Sequence, residues 1–170
     1  CASDTAEKNV RRSLNTDDTA EPLLNIWFAS GESLDKFCRP FRPVVRELKA
    51  DPPRLIGGEW DTIEGTVAKV LLADQLSRSC FRGTPEAFSF DSIGEQLVLS
   101  LFRTSVLTRV LSLPAAILYL LPWALAHSEN INNLTRACEI INITIKAYPN
   151  FNLFKINKLA VAQHREVLEK

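Results

Sequence analysis

The stretch LSLPAAILYLLPWALAHSEN, residues 111–130, opens with sixteen uncharged residues and closes on a His-Ser-Glu cluster. A helix that spans a membrane needs about twenty apolar residues, whereas the uncharged run between Arg109 and His127 is shorter and contains Pro114 and Pro122. A proline inside a helix removes a backbone hydrogen bond, so we expect a kink or a break at Pro122. The stretch therefore predicts the buried centre of a helical domain. The alternative is a segment embedded in a membrane complex.

The composition is that of an ordinary globular domain. The chain has 170 residues, of which 46% are apolar and 24% charged, and a single domain of this length buries roughly two-thirds of its surface. Twenty basic and twenty acidic side chains cancel, so no long-range field steers the molecule toward nucleic acid or an anionic membrane. We therefore predict no nucleic-acid partner, and membrane association only through a complex, if at all.

One basic run could still form a local contact patch, although such a run is more typical of a solvated face. The cations of this run are Arg39, Arg42, Arg46, Lys49 and Arg54.

The cysteines indicate neither a metal site nor a redox motif. Cys1, Cys38, Cys80 and Cys138 lie far apart and form no ligand-spaced pair, so zinc and disulfide-exchange chemistry are not supported. Cys80 and Cys138 fall in apolar surroundings, where a free cysteine packs as a small hydrophobic side chain. We predict no metal and no cofactor.

The first residues differ in character from the rest. Residues 1–22 are polar and lack apolar periodicity, which predicts an extended or disordered arm ahead of a helical domain at residues 23–170. The chain contains no methionine, and its Cys-Ala start resembles the junction left when a plastid transit peptide is cut. That interpretation predicts an intracellular, organellar location, in a plastid such as the chloroplast or in a mitochondrion. A chain boundary of another origin explains the start equally well.

The local signals beyond the arm are helical. Asp61 followed by Glu64 is a capping-box pattern, and apolar residues then recur at helical spacing toward Cys80. Ser92 with Glu95 repeats the pattern. No window alternates with period two between turn signals, so strands find no support. We predict an all-α fold of antiparallel helix pairs.

The stretch DQLSRSCFRG, residues 74–83, places charges on an apolar helix face. Asp74, Arg78 and Arg82 are spaced four apart, so their side chains project from one side of the helix, which is the side that faces the core. Charges there need partners, and Glu129, with His127 beside it, is the distant candidate. In one interpretation these residues form a structural clamp between helices.

The alternative interpretation is a ligand pocket. Arg78 and Arg82 would then hold a phosphate or carboxylate, or His127 with Glu129 would transfer a proton in a small hydrolase-like enzyme. No nucleophile-and-base spacing, metal-ligand run or phosphate loop supports an enzyme. No catalytic residue is therefore assigned.

Several blocks of the chain resemble the motifs of a known family, both in their residues and in their order along the chain. They are IWF at 26–28, EWDTIEG at 59–65, LLADQLSRSCFRGTPEAFSFD at 71–91, LYLLPWALAHSEN at 118–130 and QHREVLEK at 163–170. The family is the uncharacterised domain of unknown function nine hundred and twenty-four. The resemblance implies a single all-helical domain similar to tetratricopeptide-repeat folds. The matching residues are Trp60, Asp74, Gln75, Arg78, Arg82, Gly83, Asp91, His127, Ser128, Glu129 and His164.

The chain departs from this family at its end. The family pattern continues into an FGRFPHRN segment whose polar side chains complete the cluster, and the chain stops at Lys170, where that segment would begin. A site that depends on the segment would be incomplete here. We therefore favour a non-catalytic interaction or scaffold module, a subunit or accessory factor of a larger assembly. The alternative is an enzyme or anion-binding protein that uses the polar cluster, whose members are Asp74, Gln75, Arg78, Arg82, His127, Glu129 and His164.

Overall fold

The computed structural model describes residues 2–28 and 31–169, and every regular element in these ranges is a helix. The predicted all-α class is confirmed. The α-helices are α1 Ala2–Ser13, α2 Asp17–Phe28, α3 Glu32–Cys38, α4 Arg42–Glu47, α5 Ile63–Leu71, α6 Ser77–Cys80, α7 Asp91–Leu101, α8 Leu107–Val110, α9 Ala115–Leu120, α10 Trp123–Ala126, α11 Ile131–Ala147 and α12 Leu153–Leu168. Short 3-10 turns span Arg39–Phe41, Gly58–Asp61 and Pro85–Phe88, and a π-helical turn spans Leu72–Leu76.

The apolar stretch at residues 111–126 lies at the centre of the main core, as predicted. It forms α9 and α10, and Leu118, Leu121 and Leu125 are fully buried. The helix breaks at the buried Pro122, which precedes the first residue of α10. None of the helices in residues 2–28 and 31–169 has the length and hydropathy that a membrane crossing requires.

The helices pack in a chain of neighbours. α5 packs on α7, α7 on α10, and α10 on α11. α11 and α12 share the most extensive contact and are joined by a short loop, which makes them a helical hairpin. A second, smaller apolar cluster lies between the α3–α4 segment and α6 and includes Val45, Phe81 and Phe90.

The prediction of an extended or disordered arm at residues 1–22 is wrong for residues 2–22, which the structure describes. Residues 2–28 form α1 and α2, and Ala20 and Leu24 of α2 are buried in the main core. The polar composition of residues 1–22 concealed this, because a segment without apolar periodicity gives no helical signal.

Hydrogen bonds also tie this segment to the later helices. Asp17 accepts hydrogen bonds from the backbone amides of Asn152 and Leu153, at 3.0 and 3.2 Å, and so caps α12. The side-chain oxygen of Asn15 accepts from the amide of Ala115 at 2.8 Å, at the start of α9. Long-range capping of this kind leaves no mark in the local sequence.

Neither predicted capping box forms, because the third residue of α5 is Gly65 and α7 begins after Phe90 without a side-chain cap. Thr62 caps α5 by accepting from the amide of Gly65 at 2.9 Å, whereas Asp61 ends a 3-10 turn and accepts from the amide of Gly57. α7 begins at Asp91, so Ser92 lies inside the helix.

Candidate functional site

The π turn between α5 and α6 places Asp74 and Gln75. A π turn inserts one extra residue into a helix, is rare, and is frequent at functional sites. Here it turns Asp74 inward until the residue is only 3% exposed. An aspartate this deeply buried requires charged or hydrogen-bonding partners.

Asp74 has partners on three sides. Its Oδ1 lies 2.6 Å from Nδ1 of His127, which follows α10, and 3.6 Å from Nη2 of Arg78 on α6. Its Oδ2 accepts from the side-chain amide of Gln75. Arg78 in turn donates to Oδ1 of Asp91 at 3.1 Å, at the first residue of α7. We call Asp74, Arg78, Asp91 and His127 the polar clamp, because the four residues connect the π turn, α6, α7 and the end of α10.

The clamp is electrostatically coupled. Burial raises the pKa of Asp91 above its ordinary value, and the nearby charge of Asp74 raises it further. The positive charge of Arg78 acts in the opposite direction and lowers the pKa of Asp91. The guanidinium of Arg78 therefore stabilises two carboxylates at once.

Aromatic rings flank the clamp on both sides. The indole of Trp123 lies 5.8 Å from the imidazole of His127, and the guanidinium of Arg78 lies 5.1 Å from the ring centre of Phe88. A cation over an aromatic face contributes roughly 0.5–1 kcal/mol at an exposed position. These rings restrict the rotamers of the two basic side chains.

Three residues of the predicted cluster lie elsewhere. Glu129 is exposed, and the carboxylates that contact Arg78 are those of Asp74 and Asp91, so the predicted pair between Arg78 and Glu129 is wrong. Arg82 is half exposed and pairs with Asp35 of α3 at 2.6 Å. His164 of α12 contacts the carbonyl oxygen of Ala126 at 2.9 Å through Nδ1.

Asp91 is the clamp residue that sequence analysis did not assign to the polar cluster. It stands thirteen positions after Arg78 and begins a different helix, so no helical spacing relates the two residues. The available signal was its place in the family block that also holds Asp74 and Arg78.

The predicted basic patch is largely engaged within the chain. Arg42 donates to the carbonyl oxygen of Cys80 at 2.7 Å, Arg46 pairs with Glu86 at 2.7 Å, and Arg54 pairs with Glu47 at 3.1 Å. The ammonium of Lys49 lies 4.4 Å from the ring centre of Phe90, and Arg39 is exposed. These contacts connect α4 and the residues after it to Cys80, Glu86 and Phe90, while the side chains of Arg46 and Arg54 remain 60% and 68% exposed.

A large apolar groove opens beside the clamp. It has a volume of about 1010 Å³. One wall is α2, the other is α3 with the 3-10 turn that follows it, and the π turn forms the floor. Leu23 and Ile26 form one wall, and Phe37 and Phe41 belong to the other. Gln75 lines the same space, so one side chain contacts both the groove and the buried Asp74. We call this space the α2–α3 groove.

Within the described residues, no group of three or more histidine, cysteine, aspartate or glutamate side chains is arranged to hold a metal ion.

The fold and the clamp define an all-helical domain built around a buried aspartate, with arginine and histidine as its partners. The chain belongs to the family described as "Bacterial protein of unknown function (DUF924)", whose model matches residues 14–170. The family that the sequence blocks predicted is thereby confirmed.

A solved structure shares the fold. It is a protein of unknown function, ATU0120, from Agrobacterium tumefaciens, with a TM-score of 0.64 and 24% identity. The match covers 85% of this chain and 74% of that chain, and at this identity it shows the fold alone. Comparison with curated proteins gives no match.

Proposed function

We propose that this protein is a non-catalytic interaction module that binds the apolar side of a helix from a protein partner in the α2–α3 groove. The observation that carries the proposal is the exposure of large apolar side chains on the groove walls. Leu23, Ile26 and Phe37 are 51%, 64% and 69% exposed. A contiguous apolar patch of this kind typically marks an interaction site.

The shape of the groove favours a protein helix over a small molecule. Pockets for small ligands enclose most of the ligand surface, whereas the walls of this groove are themselves more than half exposed at Leu23, Ile26 and Phe37. A partner helix covers such walls because it brings an apolar stripe of its own, in the helix-in-groove mode. A lipid surface fits less well, since a membrane-binding face carries basic side chains and the charged residue that lines this groove is Glu32.

The polar clamp has a structural role in this proposal. Arg78 contacts Asp74 and Asp91, and Arg82 contacts Asp35, so the chain's own carboxylates occupy the cations that an anionic substrate would use. The clamp holds the π turn, and with it Gln75, at the floor of the groove. The order of helix contacts from α5 to α12 supports the predicted tetratricopeptide-like arrangement, in which stacked helices present grooves to partners in larger assemblies.

Selection from a display library of random 16-residue peptides tests the proposal. Enriched peptides should carry apolar residues at i, i+3 and i+4 spacing, and their binding should fall at least about tenfold for Ile26→Asp and for Phe37→Asp, because each change places a charge in the apolar contact. Leu159→Asp is the matched control, since Leu159 is 65% exposed on α12, away from the groove.

Two results would contradict the proposal. One is the absence of enriched peptides from a library that yields binders to a control domain. The other is enrichment of peptides that bind the Ile26→Asp and Phe37→Asp variants as tightly as they bind Leu159→Asp. Circular dichroism of all three variants verifies that they remain folded.

A further inference from the structure

A second concave site lies on a different part of the molecule, between the end of α7 and the first half of α11. This cleft has a volume of about 490 Å³, within the range of roughly 300–1,000 Å³ that is typical of small-molecule sites. Leu99, Phe102 and Arg103 line it from α7 and the residues that follow. The clamp residues and the α2–α3 groove contribute nothing to its walls.

One stripe of α11 forms the opposite wall, and the stripe is polarised along its length. Asn132 and Arg136 lie at its N-terminal end, and Ile140 and Ile143 lie farther along. These positions are spaced by three or four residues, so they share one helix face. The α11 wall is therefore polar toward Asn132 and apolar toward Ile143, with the Arg136–Glu139 ion pair between the two ends.

The charges of the cleft leave it with a net positive balance. Arg136 is neutralised by Glu139, whose carboxylate lies 2.7 Å away. Arg103 is exposed and contacts no carboxylate among the residues that the structure describes. Two arginines and one glutamate therefore present one excess positive charge to a ligand.

We propose that this cleft binds a small organic anion: a carboxylate or phosphate head group at Arg103 and Arg136, attached to an apolar body that packs against Phe102 and Ile140. An arginine fork matches both head groups through paired hydrogen bonds. Asn132 adds a neutral donor beside them, and Leu99 extends the apolar wall. This site is separate from the α2–α3 groove, so its test is independent of the test of the proposed interaction function.

The test is a chemical-shift titration of the full chain with octanoate, with octyl phosphate as a second anion and octanamide as the neutral counterpart. Both anions share the head-group chemistry, and the tighter of the two identifies the preferred head group. Octanoate should shift the amide resonances of Phe102 and of the α11 stripe. Octanamide should bind about tenfold more weakly, because it lacks the charge that pairs with arginine.

Three substitutions should have different effects on the affinity for octanoate. Arg103→Gln should weaken octanoate binding by about tenfold, whereas Arg109→Gln, on α8 and outside the cleft, should leave it unchanged. Glu139→Gln should strengthen binding, because it removes the carboxylate that competes for Arg136. Equal binding of octanamide, equal effects of Arg103→Gln and Arg109→Gln, or shifts confined to residues outside the cleft would each overturn the proposal.

Discussion

Asp74 decides the behaviour of the site at the scale of single residues. A buried carboxylate is strongly unfavourable without compensation, and here His127, Arg78 and Gln75 compensate it together. Partners that polarise one another in a low dielectric contribute more jointly than separately. Removal of any one partner therefore affects the others, and their energies will not be additive.

Arg78→Ala should lower the free energy of unfolding by about 3 kcal/mol, because it leaves two carboxylates near each other without their shared cation. Urea denaturation followed by circular dichroism measures this loss. Arg136→Ala, which breaks the exposed pair with Glu139, is the control and should cost at most about 0.5 kcal/mol.

A double-mutant cycle identifies the partner of Arg78. Arg78→Ala and Asp91→Asn should show strong coupling, since the two side chains are in contact. Arg78→Ala and Glu129→Gln should be additive, because Glu129 is exposed and does not contact the clamp. Additivity in the first cycle would contradict the clamp that the structure shows.

Local spacing in the sequence predicted part of this site. The rest depends on long-range packing, which local spacing does not encode. Asp74 and Arg78 stand four residues apart in one continuous helical segment, so the local chain geometry brings them close. His127 was a candidate because it follows the apolar stretch. Which carboxylate contacts Arg78, that of Asp91 or that of Glu129, depends on how α7 and α10 pack on the π turn. That packing depends on long-range contacts that no local spacing encodes.

At the scale of elements, Asp17 connects the two ends of the chain, and its loss should weaken that connection. Asp17→Ala removes the cap of α12 and should lower stability by about 1 kcal/mol, whereas Asp18→Ala is the matched control. Asp18 is exposed in the same first turn of α2, so the change in net charge is identical. Equal losses in the two variants would show that charge at the start of α2, rather than capping of α12, accounts for the effect.

The Asp17 cap should also depend on pH. Burial alone raises the pKa of Asp17, but the hydrogen bonds from Asn152 and Leu153 outweigh this effect, so the pKa is lowered overall. A lowered folded-state pKa means that the cap stabilises the protein above the unfolded pKa of about 3.9. The stability difference between the native chain and Asp17→Ala should therefore shrink as the pH falls below 4.

Gly65 permits the close approach of α5 to the 3-10 turn before it. A Cβ at Gly65 would lie 2.1 Å from the carbonyl oxygen of Glu59 and 2.7 Å from Cα of Trp60. Gly65→Ala should therefore destabilise the protein by about 3 kcal/mol, since backbone must move. Thermal unfolding measures the loss.

Gly94→Ala is the matched control for Gly65→Ala. Its added Cβ would meet Ala73 at 3.5 Å and Ala124 at 3.6 Å, which are ordinary contacts. Alanine also favours the helical state over glycine by about 0.5–1 kcal/mol, so Gly94→Ala should be neutral or stabilising. A large loss at both positions would mean that the steric argument is wrong.

Element boundaries show where sequence patterns succeed and where they fail. The break at Pro122 was predictable, because proline lacks the amide that a continuous helix requires. The start of α5 was misplaced by one residue, since Asp61 and Thr62 are both good caps and only the 3-10 turn before them decides between the two. The helical structure before residue 21 was missed because its composition is polar, and the contacts of Asn15 with α9 and of Asp17 with α12 are long-range.

At the scale of the whole molecule, one continuous helical segment joins the two apolar clusters. Val67 and Val70 of α5 belong to the main core, and Leu72 and Ala73 in the adjoining π turn belong to the second cluster. The polar clamp adds a second connection, from Asp74 to His127. Neither cluster can lose its packing without disturbing the segment that both share.

This connection predicts a single cooperative unfolding transition, and the tryptophans allow a direct test. Trp60 packs against the second cluster and Trp123 against the main core, so variants that retain only Trp60 or only Trp123 report on the two clusters separately. In each variant the fluorescence midpoint in urea should coincide with the midpoint from far-ultraviolet circular dichroism, as two-state unfolding requires. If the Trp60 signal changed at a lower urea concentration than the helical signal, the second cluster would unfold as an independent unit. The π turn would then act as a hinge between two bodies, and a partner bound in the α2–α3 groove would contact both, because α2 packs in the main core and Cys38 belongs to the second cluster.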